Sequence, residues 1–258
     1  MRPVNDILQG SRGLLPIIFI LTLWQWIGDP GSPHFPPPST WFRSLNEMAM
    51  AGRLVPATLA TVGILFLGLV IACTSGFILG LIIGTTPSVR EWTAWLIEYF
   101  RAVPPPVLIP VVVLMLGYTL NMKLIVIGFA GIWPVLLNTM SGVSQIGGLT
   151  FDVARSFRLT RYETLTKIVI PATVPALLVG IRVALPHTII ITLVVEMFTG
   201  ALGIGGLMIS AQRDFNAAGV FGLLALIGSL GFAISSLFSI LERLILRRWP
   251  RDQLGGRG

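Results

Sequence analysis

DVARSFRLTRYETLTKIVIP, residues Asp152 to Pro171, is the most charged stretch of this chain that lies between two apolar ones. Arg155, Arg158, Arg161 and Lys167 stand against Asp152 and Glu163, a local excess of two positive charges. The apolar segments on either side, one ending near Val143 and one running to Phe198, are of membrane-crossing length. A charged insert between two such segments is a loop on one membrane face. Its pattern is helical. Thr150 is placed to cap a first turn, Asp152 sits near the positive end of the helix, and Val153 and Phe157 share a face at i and i+4. Thr160-Arg161-Tyr162-Glu163 has the spacing of a capping box that opens a second helix. Two short helices joined near Arg158–Leu159, with apolar knobs in a basic frame, describe a docking element for a partner in the aqueous phase. The plainer alternative is an ordinary interfacial loop helix.

The rest of the chain supports a membrane setting. Charged residues make up 11% of the 258 and the mean hydropathy is +0.84, whereas soluble domains carry about a quarter charged residues. The length holds roughly six spans of about 20 residues with their connections. The net charge of +7 belongs to membrane topology, with no nucleic acid implied, because basic residues collect on the cytoplasmic side of membrane proteins. A single cysteine, Cys73, excludes a disulfide framework, and two histidines, His34 and His187, cannot build a zinc site alone.

In chain order, the first span covers about 14–28, with Trp24 and Trp26 at the interface and no small-residue cleavage signal after it. GSPHFPPPST follows as a semi-rigid connection. A surface helix is expected from Trp41 to Met50, capped by Ser39 or Thr40. The second span covers 57–84, and Gly76, Gly80 and Gly84 recur at i+4 as a stripe for close helix approach. Pro104, Pro105 and Pro106 break the next segment, so a polar-ended helix to about Phe100 precedes a third span at 106–117. A short turn leads into the fourth span, 123–143, which carries Pro134 and Asn138. The fifth covers 173–198. Gly200 to Gly219 reads as a re-entrant or surface loop, and the sixth span, 220–246, ends in the basic tail RRWPRDQLGGRG.

Six spans put both termini on one side. Thirteen basic residues then share the face of the Asp152–Pro171 insert: Arg2, Arg12, Arg90, Arg101, Arg155, Arg158, Arg161, Lys167, Arg243, Arg247, Arg248, Arg251 and Arg257. The other face holds four, Arg43, Arg53, Lys123 and Arg213, which sets N-in, C-in with the insert cytoplasmic. Neither lysine follows a glycine, so the chain has no phosphate-binding loop of its own. No nucleophilic triad or metalloprotease motif is present either, so the chain is not read as an enzyme.

The insert resembles the EAA motif of the permease subunits of bacterial ATP-binding-cassette importers, whose pattern is Glu-Ala-Ala, three residues, Gly, nine residues, Ile-x-Leu-Pro. Asp152, Val153 and Ala154 stand for its first three residues, and Ile168, Ile170 and Pro171 close it at the right distance. Arg158 stands where the family has Gly; the break must then form another way, and the Thr160 cap is the expected one. FPPPSTWF (35–42), RAVPPPVLIP (101–110), PVLLNTMSGV (134–143), GIRVAL (180–185), VVEMFTGALGIGGLM (194–208) and LERLILRRW (241–249) are similar to the nitrate, sulfonate, taurine and bicarbonate branch. The resemblance runs along nearly the whole chain.

It implies an all-α integral membrane protein with the type I importer fold, a single permease domain over 1–258 with coupling helices at 151–170, in the bacterial inner membrane. It further implies a second permease copy, two cytoplasmic ATPase subunits that carry the ATP and magnesium, and an extracytoplasmic solute-binding protein. The cargo would be a small solute, an anion of this branch, with aromatic acids or thiamine-precursor pyrimidines as alternatives. The ATPase-docking residues would be Asp152, Val153, Ala154, Arg155, Phe157 and Arg158. Two other classes compete. A secondary transporter would show paired broken helices, and only the 104–106 break is found. An intramembrane enzyme would need a dyad, and Arg182, His187 and Glu196 are too dispersed for one.

Charges within a span face protein or water. Arg182 and Glu196 lie in stretches common to the family pattern, and with Gly203 and Gly205 they are read as structural or gate residues. Gly200–Gly206, four glycines in seven residues, is expected near the outer mouth. His187, with Thr188 and Thr192, is the candidate path-lining patch, and Asn138 the candidate on the fourth span; the plainer role for His187 is a hydrogen bond to a neighbouring helix.

Overall fold

In a computed structural model the chain is described at residues 4–32, 34–247 and 249. The basic tail beyond 249, with Arg251 and Arg257, and also Arg2 and Arg248, lie outside the described residues. The described chain is helical throughout, with no strand among the described residues. Its helices are α1 (Val4–Ile27), α2 (Pro38–Met50), α3 (Leu54–Thr85), α4 (Pro87–Ala102), α5 (Pro105–Leu116), α6 (Leu120–Ser144), α7 (Gly148–Ser156), α8 (Arg161–Thr164), α9 (Ile170–Thr199), α10 (Ile204–Arg213) and α11 (Ala217–Leu246).

Four helical stretches are long and apolar enough to cross a membrane: α3, α6, the stretch from α8 through α9, and α11. The third-span reading needs correction. The twelve residues of α5 reach only about 18 Å at 1.5 Å per residue, too short for a hydrocarbon core of about 30 Å. α4 and α5 form instead a bent pair meeting at 91°, because Pro104, Pro105 and Pro106 remove consecutive amide donors, and together they have the length and apolarity of one broken span or a re-entrant segment. The apolar part of α1 among the residues with described side chains is Leu15–Ile27.

The centre of the molecule is α6, packed between α3 and α9. Small residues make this possible. A Cβ on Gly80 would lie 2.7 Å from Thr139 Cβ and 2.9 Å from the Leu136 carbonyl, and one on Gly76 would lie 2.8 Å from Val135 Cβ. The α3 backbone therefore rests directly on α6. α9 rests on the other side, with Gly180 under the Val135 backbone and Gly142 under Ala176. Ile109, Met122, Ile127, Ile191 and Val195 fill the apolar centre near the α6 N-terminus.

Two further features depart from the sequence reading. The second helix of the charged insert is not free-standing: α8 continues through a π-helical turn, Leu165–Val169, into α9, giving 39 residues and about 58 Å of helix. α2 starts at Pro38 without a side-chain cap; the Ser39 amide donates to Gln25 Oε1 at 2.9 Å, so a glutamine of α1 does the work expected of Ser39 or Thr40. Trp24, Phe35, Trp41 and Phe221 form an aromatic cluster that joins α1, the Pro-rich connection, α2 and α11. Trp24 is therefore packed, and Trp26 is the exposed one of the pair.

Candidate functional site

α7 lies beyond the C-terminal end of α6, and the apolar contact of Leu81 and Val143 with Val169, flanked by Phe151 and Leu165, seats the insert on the bundle. Gly147 is its N-cap, and Thr150 stands inside the first turn without capping it. Val153 is 48% exposed and Phe157 76%, and Leu149, one turn earlier, extends the same stripe. Ala154 is a correction: at 3% exposure it faces the protein's own body and cannot enter a partner. Asp152 and Arg155 pair with each other on the exposed side.

The break between the short helices is formed by Arg158 itself. Its φ is 54°, in the left-handed region. The Arg158 amide donates to the Arg155 carbonyl at 2.9 Å and the Leu159 amide to that of Ala154 at 3.0 Å, the pattern of a Schellman C-cap with arginine where glycine is usual. Thr160 then starts α8 with a full capping box: its side chain accepts from the Glu163 amide at 3.2 Å, and the Thr160 amide donates to Glu163 Oε2 at 3.0 Å. Lys167 holds the other carboxylate oxygen at 2.9 Å.

The polar residues of α9 do not gather into one patch. His187 is exposed, with Nδ1 2.8 Å from the Val183 carbonyl of its own helix; a carbonyl only accepts, so Nδ1 carries the proton. Thr188 and Thr192 are fully buried on a different side. Thr192 donates to the Thr188 carbonyl at 2.7 Å, and Thr188 fills the space beside Gly131 of α6. The reason is angular: successive residues are about 100° apart, so His187 and Thr188 cannot share a face. Asn138 is turned onto α6, its amide donating to the Pro134 carbonyl at 2.8 Å, with its Cβ against Gly180.

Arg182 pairs with Glu242 of α11. The glutamate side chain is buried and the arginine side chain is 55% exposed. Trp249 makes a second tie between these helices. Pro175 has no N–H to offer the Pro171 carbonyl one turn back, and the Trp249 indole donates to it at 3.1 Å.

At the opposite end of the bundle from α7, the expected loop Gly200–Gly219 contains α10, folded back on α9. Glu196 is fully buried there. Thr61 Oγ1 lies 2.9 Å from both of its carboxylate oxygens, and the Gly205 amide donates to Oε2 at 3.0 Å. Thr61 in turn accepts from the Ile204 amide at 2.8 Å. A Cβ on Gly203 would lie 2.2 Å from the Glu196 carboxyl carbon, and one on Gly205 2.5 Å from the Leu193 carbonyl. These glycines answer to close packing. Thr61 and Glu242 were not singled out from the sequence. The usable signal for Glu242 was a lone acid near the end of an apolar span; Thr61 gave none.

The architecture is a bundle of long apolar helices with a bent α4–α5 pair, bearing one short exposed helix beyond the span-length segments. Residues 76–250 match the family described as binding-protein-dependent transport system inner membrane component, and the chain belongs to that family. The putative aliphatic sulfonates transport permease SsuC of Bacillus subtilis is 25% identical, over 95% of this chain and 89% of that protein. The bicarbonate transport system permease CmpB of Synechocystis is 27% identical, over 94% and 93%, and the taurine transport system permease TauC of Escherichia coli 27%, over 96% and 90%. Among solved structures, the MetNI methionine ABC transporter in an inward-facing conformation aligns with a TM-score of 0.64 over 76% of this chain and 98% of that chain, at 17% identity. An amino acid ABC transporter aligns at 0.60, over 79% and 97%. The likeness shows a type I importer permease fold. The protein is a multi-pass inner-membrane permease component of an ABC importer.

Proposed function

We propose that this chain forms the translocation path for a small anion, such as a sulfonate, taurine, nitrate or bicarbonate, and that it works as a pair of copies with two cytoplasmic ATPase subunits and an extracytoplasmic binding protein. The observation that carries the substrate class is the end-to-end similarity to permeases named for sulfonates, bicarbonate and taurine. ATP and magnesium would be held by the ATPase, since this chain has no phosphate-binding loop. Six spans with both termini cytoplasmic, counting α1 and the bent α4–α5 pair as spans, fit the basic asymmetry, which is eleven to four once Arg90 and Arg101 of α4 are left out. The exposed stripe Leu149, Val153 and Phe157 docks the ATPase, with Arg155 and Arg158 at its edge. His187 is the path-facing residue of α9, because a polar ring exposed on a membrane helix is expensive against lipid.

The test is reconstitution of the permease with its ATPase and binding protein, followed by uptake of labelled taurine, ethanesulfonate, nitrate and bicarbonate. ATP-dependent uptake of one of these supports the reading, and uptake only of uncharged solutes overturns it. A cytoplasmic reporter fused after Gly258 that reports from outside the cell would overturn the topology.

A further inference from the structure

The junction of Glu196, Thr61 and the start of α10 joins three elements through one buried carboxylate. Glu196 sits in the last turn of α9, Thr61 in the second turn of α3, and Ile204 and Gly205 supply the first amides of α10. Those amides have no carbonyl within their own helix, and in an apolar setting an unpaired amide is costly. The Gly205 amide donates to Glu196 and the Ile204 amide to Thr61, whose hydroxyl lies 2.9 Å from both carboxylate oxygens and 3.1 Å from the Ala57 carbonyl of its own helix. Among the described residues no ion-pair contact to Glu196 is found; the N-terminus of α10 lies against its carboxylate, and Lys123 of α6 adds a longer-range positive charge. Gly203 and Gly205 leave no space between α10 and the Glu196 side chain. Ile204 and Leu207 are packed with Ala57 of α3 and Leu223 of α11. Met197, next to Glu196, and Ile209 and Arg213 of α10 wall a cavity of about 670 Å³ at this end of the bundle.

We propose that Glu196 is a positioning residue: its carboxylate clamps α10 to α9 and, through Thr61, to α3, so that the wall of this end cavity moves as one body with those two helices during transport. The inference rests on the reading of the chain as a coupled importer permease. Packed elements switch between discrete arrangements, and a tie fixed on both α3 and α9 carries their displacement to α10 without slack. The connection Gly200–Gly203, with two glycines in four residues, would otherwise uncouple α10 from the helix before it.

The experiment uses the assembled transporter in proteoliposomes. Thr61→Val keeps the shape and removes the hydroxyl; Thr61→Ser keeps the hydroxyl. For Thr61→Val, exchange of the Ile204 and Gly205 amides should speed up at least about tenfold, since the Ile204 amide loses its acceptor and Glu196 loses the hydroxyl. Uptake per ATP hydrolysed should fall by a similar factor of about ten while ATP hydrolysis persists, and Thr61→Ser should restore both. Faster exchange with unchanged uptake per ATP would overturn the proposal, since the junction would then be a fold tie alone. Unchanged exchange would overturn it too. A second variant covers the case in which Thr61→Val does not assemble. Thr61→Cys with Ile204→Cys places a thiol on each of the two elements that the 2.8 Å contact of the Ile204 amide with Thr61 Oγ1 brings together, and thiol titration after oxidation verifies the cross-link. Oxidation should leave uptake within about twofold of the reduced form, because the joined elements already move together. Loss of uptake on oxidation, restored on reduction, would show that α10 must part from α3 and would overturn the proposal. Complete absence of transport by the unaltered complex would instead count against the permease reading beneath it.

Discussion

The Leu159 amide donates to the Ala154 carbonyl at 3.0 Å, and this bond folds the chain over Arg158 in the left-handed conformation. A residue with a Cβ pays roughly 1–2 kcal/mol for that conformation, partly offset by the greater freedom glycine has when unfolded. Arg158→Gly should therefore stabilise the permease by about 0.5–1 kcal/mol, read as a higher unfolding midpoint in detergent. A lower midpoint would mean that the guanidinium makes a stabilising contact within the protomer. Phe215, also left-handed with φ 54°, should respond to Phe215→Gly in the same direction.

Phe157 is three-quarters exposed and Ala154 is covered, so their substitutions should separate. Phe157→Asp should abolish co-purification of the ATPase while the permease still inserts and stays monodisperse. Ala154→Leu should destabilise the permease itself by about 1–3 kcal/mol through overpacking under α7. Retained ATPase association in Phe157→Asp would remove this stripe from the docking surface.

The α3–α6 contact should tolerate no added volume at Gly80. Gly80→Val places methyl groups against Thr139 and the Leu136 carbonyl and should cost about 1–3 kcal/mol or prevent folding. Gly63, on the same helix, has open space where a Cβ would be. Gly63→Ala should be neutral or stabilising by up to about 1 kcal/mol from helix propensity. Equal losses at both positions in thermal unfolding would contradict the packing described.

Removing Arg182 strands the buried Glu242 carboxylate. Arg182→Ala should cost on the order of 2–3 kcal/mol, less than a wholly buried pair, because the arginine side chain is 55% exposed in the protomer. Arg182→Met with Glu242→Met should recover most of that loss. A double-mutant cycle that shows no coupling would dissolve the pair.

His187 and Thr192 should behave differently in transport. Thr192 is sealed between helices, and Thr192→Val removes only a bond to its own helix; uptake should stay within about twofold. His187→Ala should change uptake rate or substrate preference with assembly intact. The reverse pattern would put the path on the α3–α6 side of α9.

The sequence alone determined the class of this protein. Apolar runs separated by breaks, a charged insert of helical period and the 104–106 prolines are local properties: desolvation drives each run into lipid, and missing amides break the helix wherever they stand. The Thr160–Glu163 box formed as its spacing requires, because both partners lie within one turn. The tertiary structure decided everything that depends on direction. Only packing turned Ala154 inward and Phe157 outward, set Thr188 and Thr192 against α6 and left His187 exposed. It paired Arg182 with Glu242 across 60 residues and brought Thr61 to Glu196 across 135. No pattern along the chain specifies these pairings: the Gly76, Gly80 and Gly84 stripe announced a close helix contact, but which helices meet, and which side chains then face each other, is a property of the packed helices together.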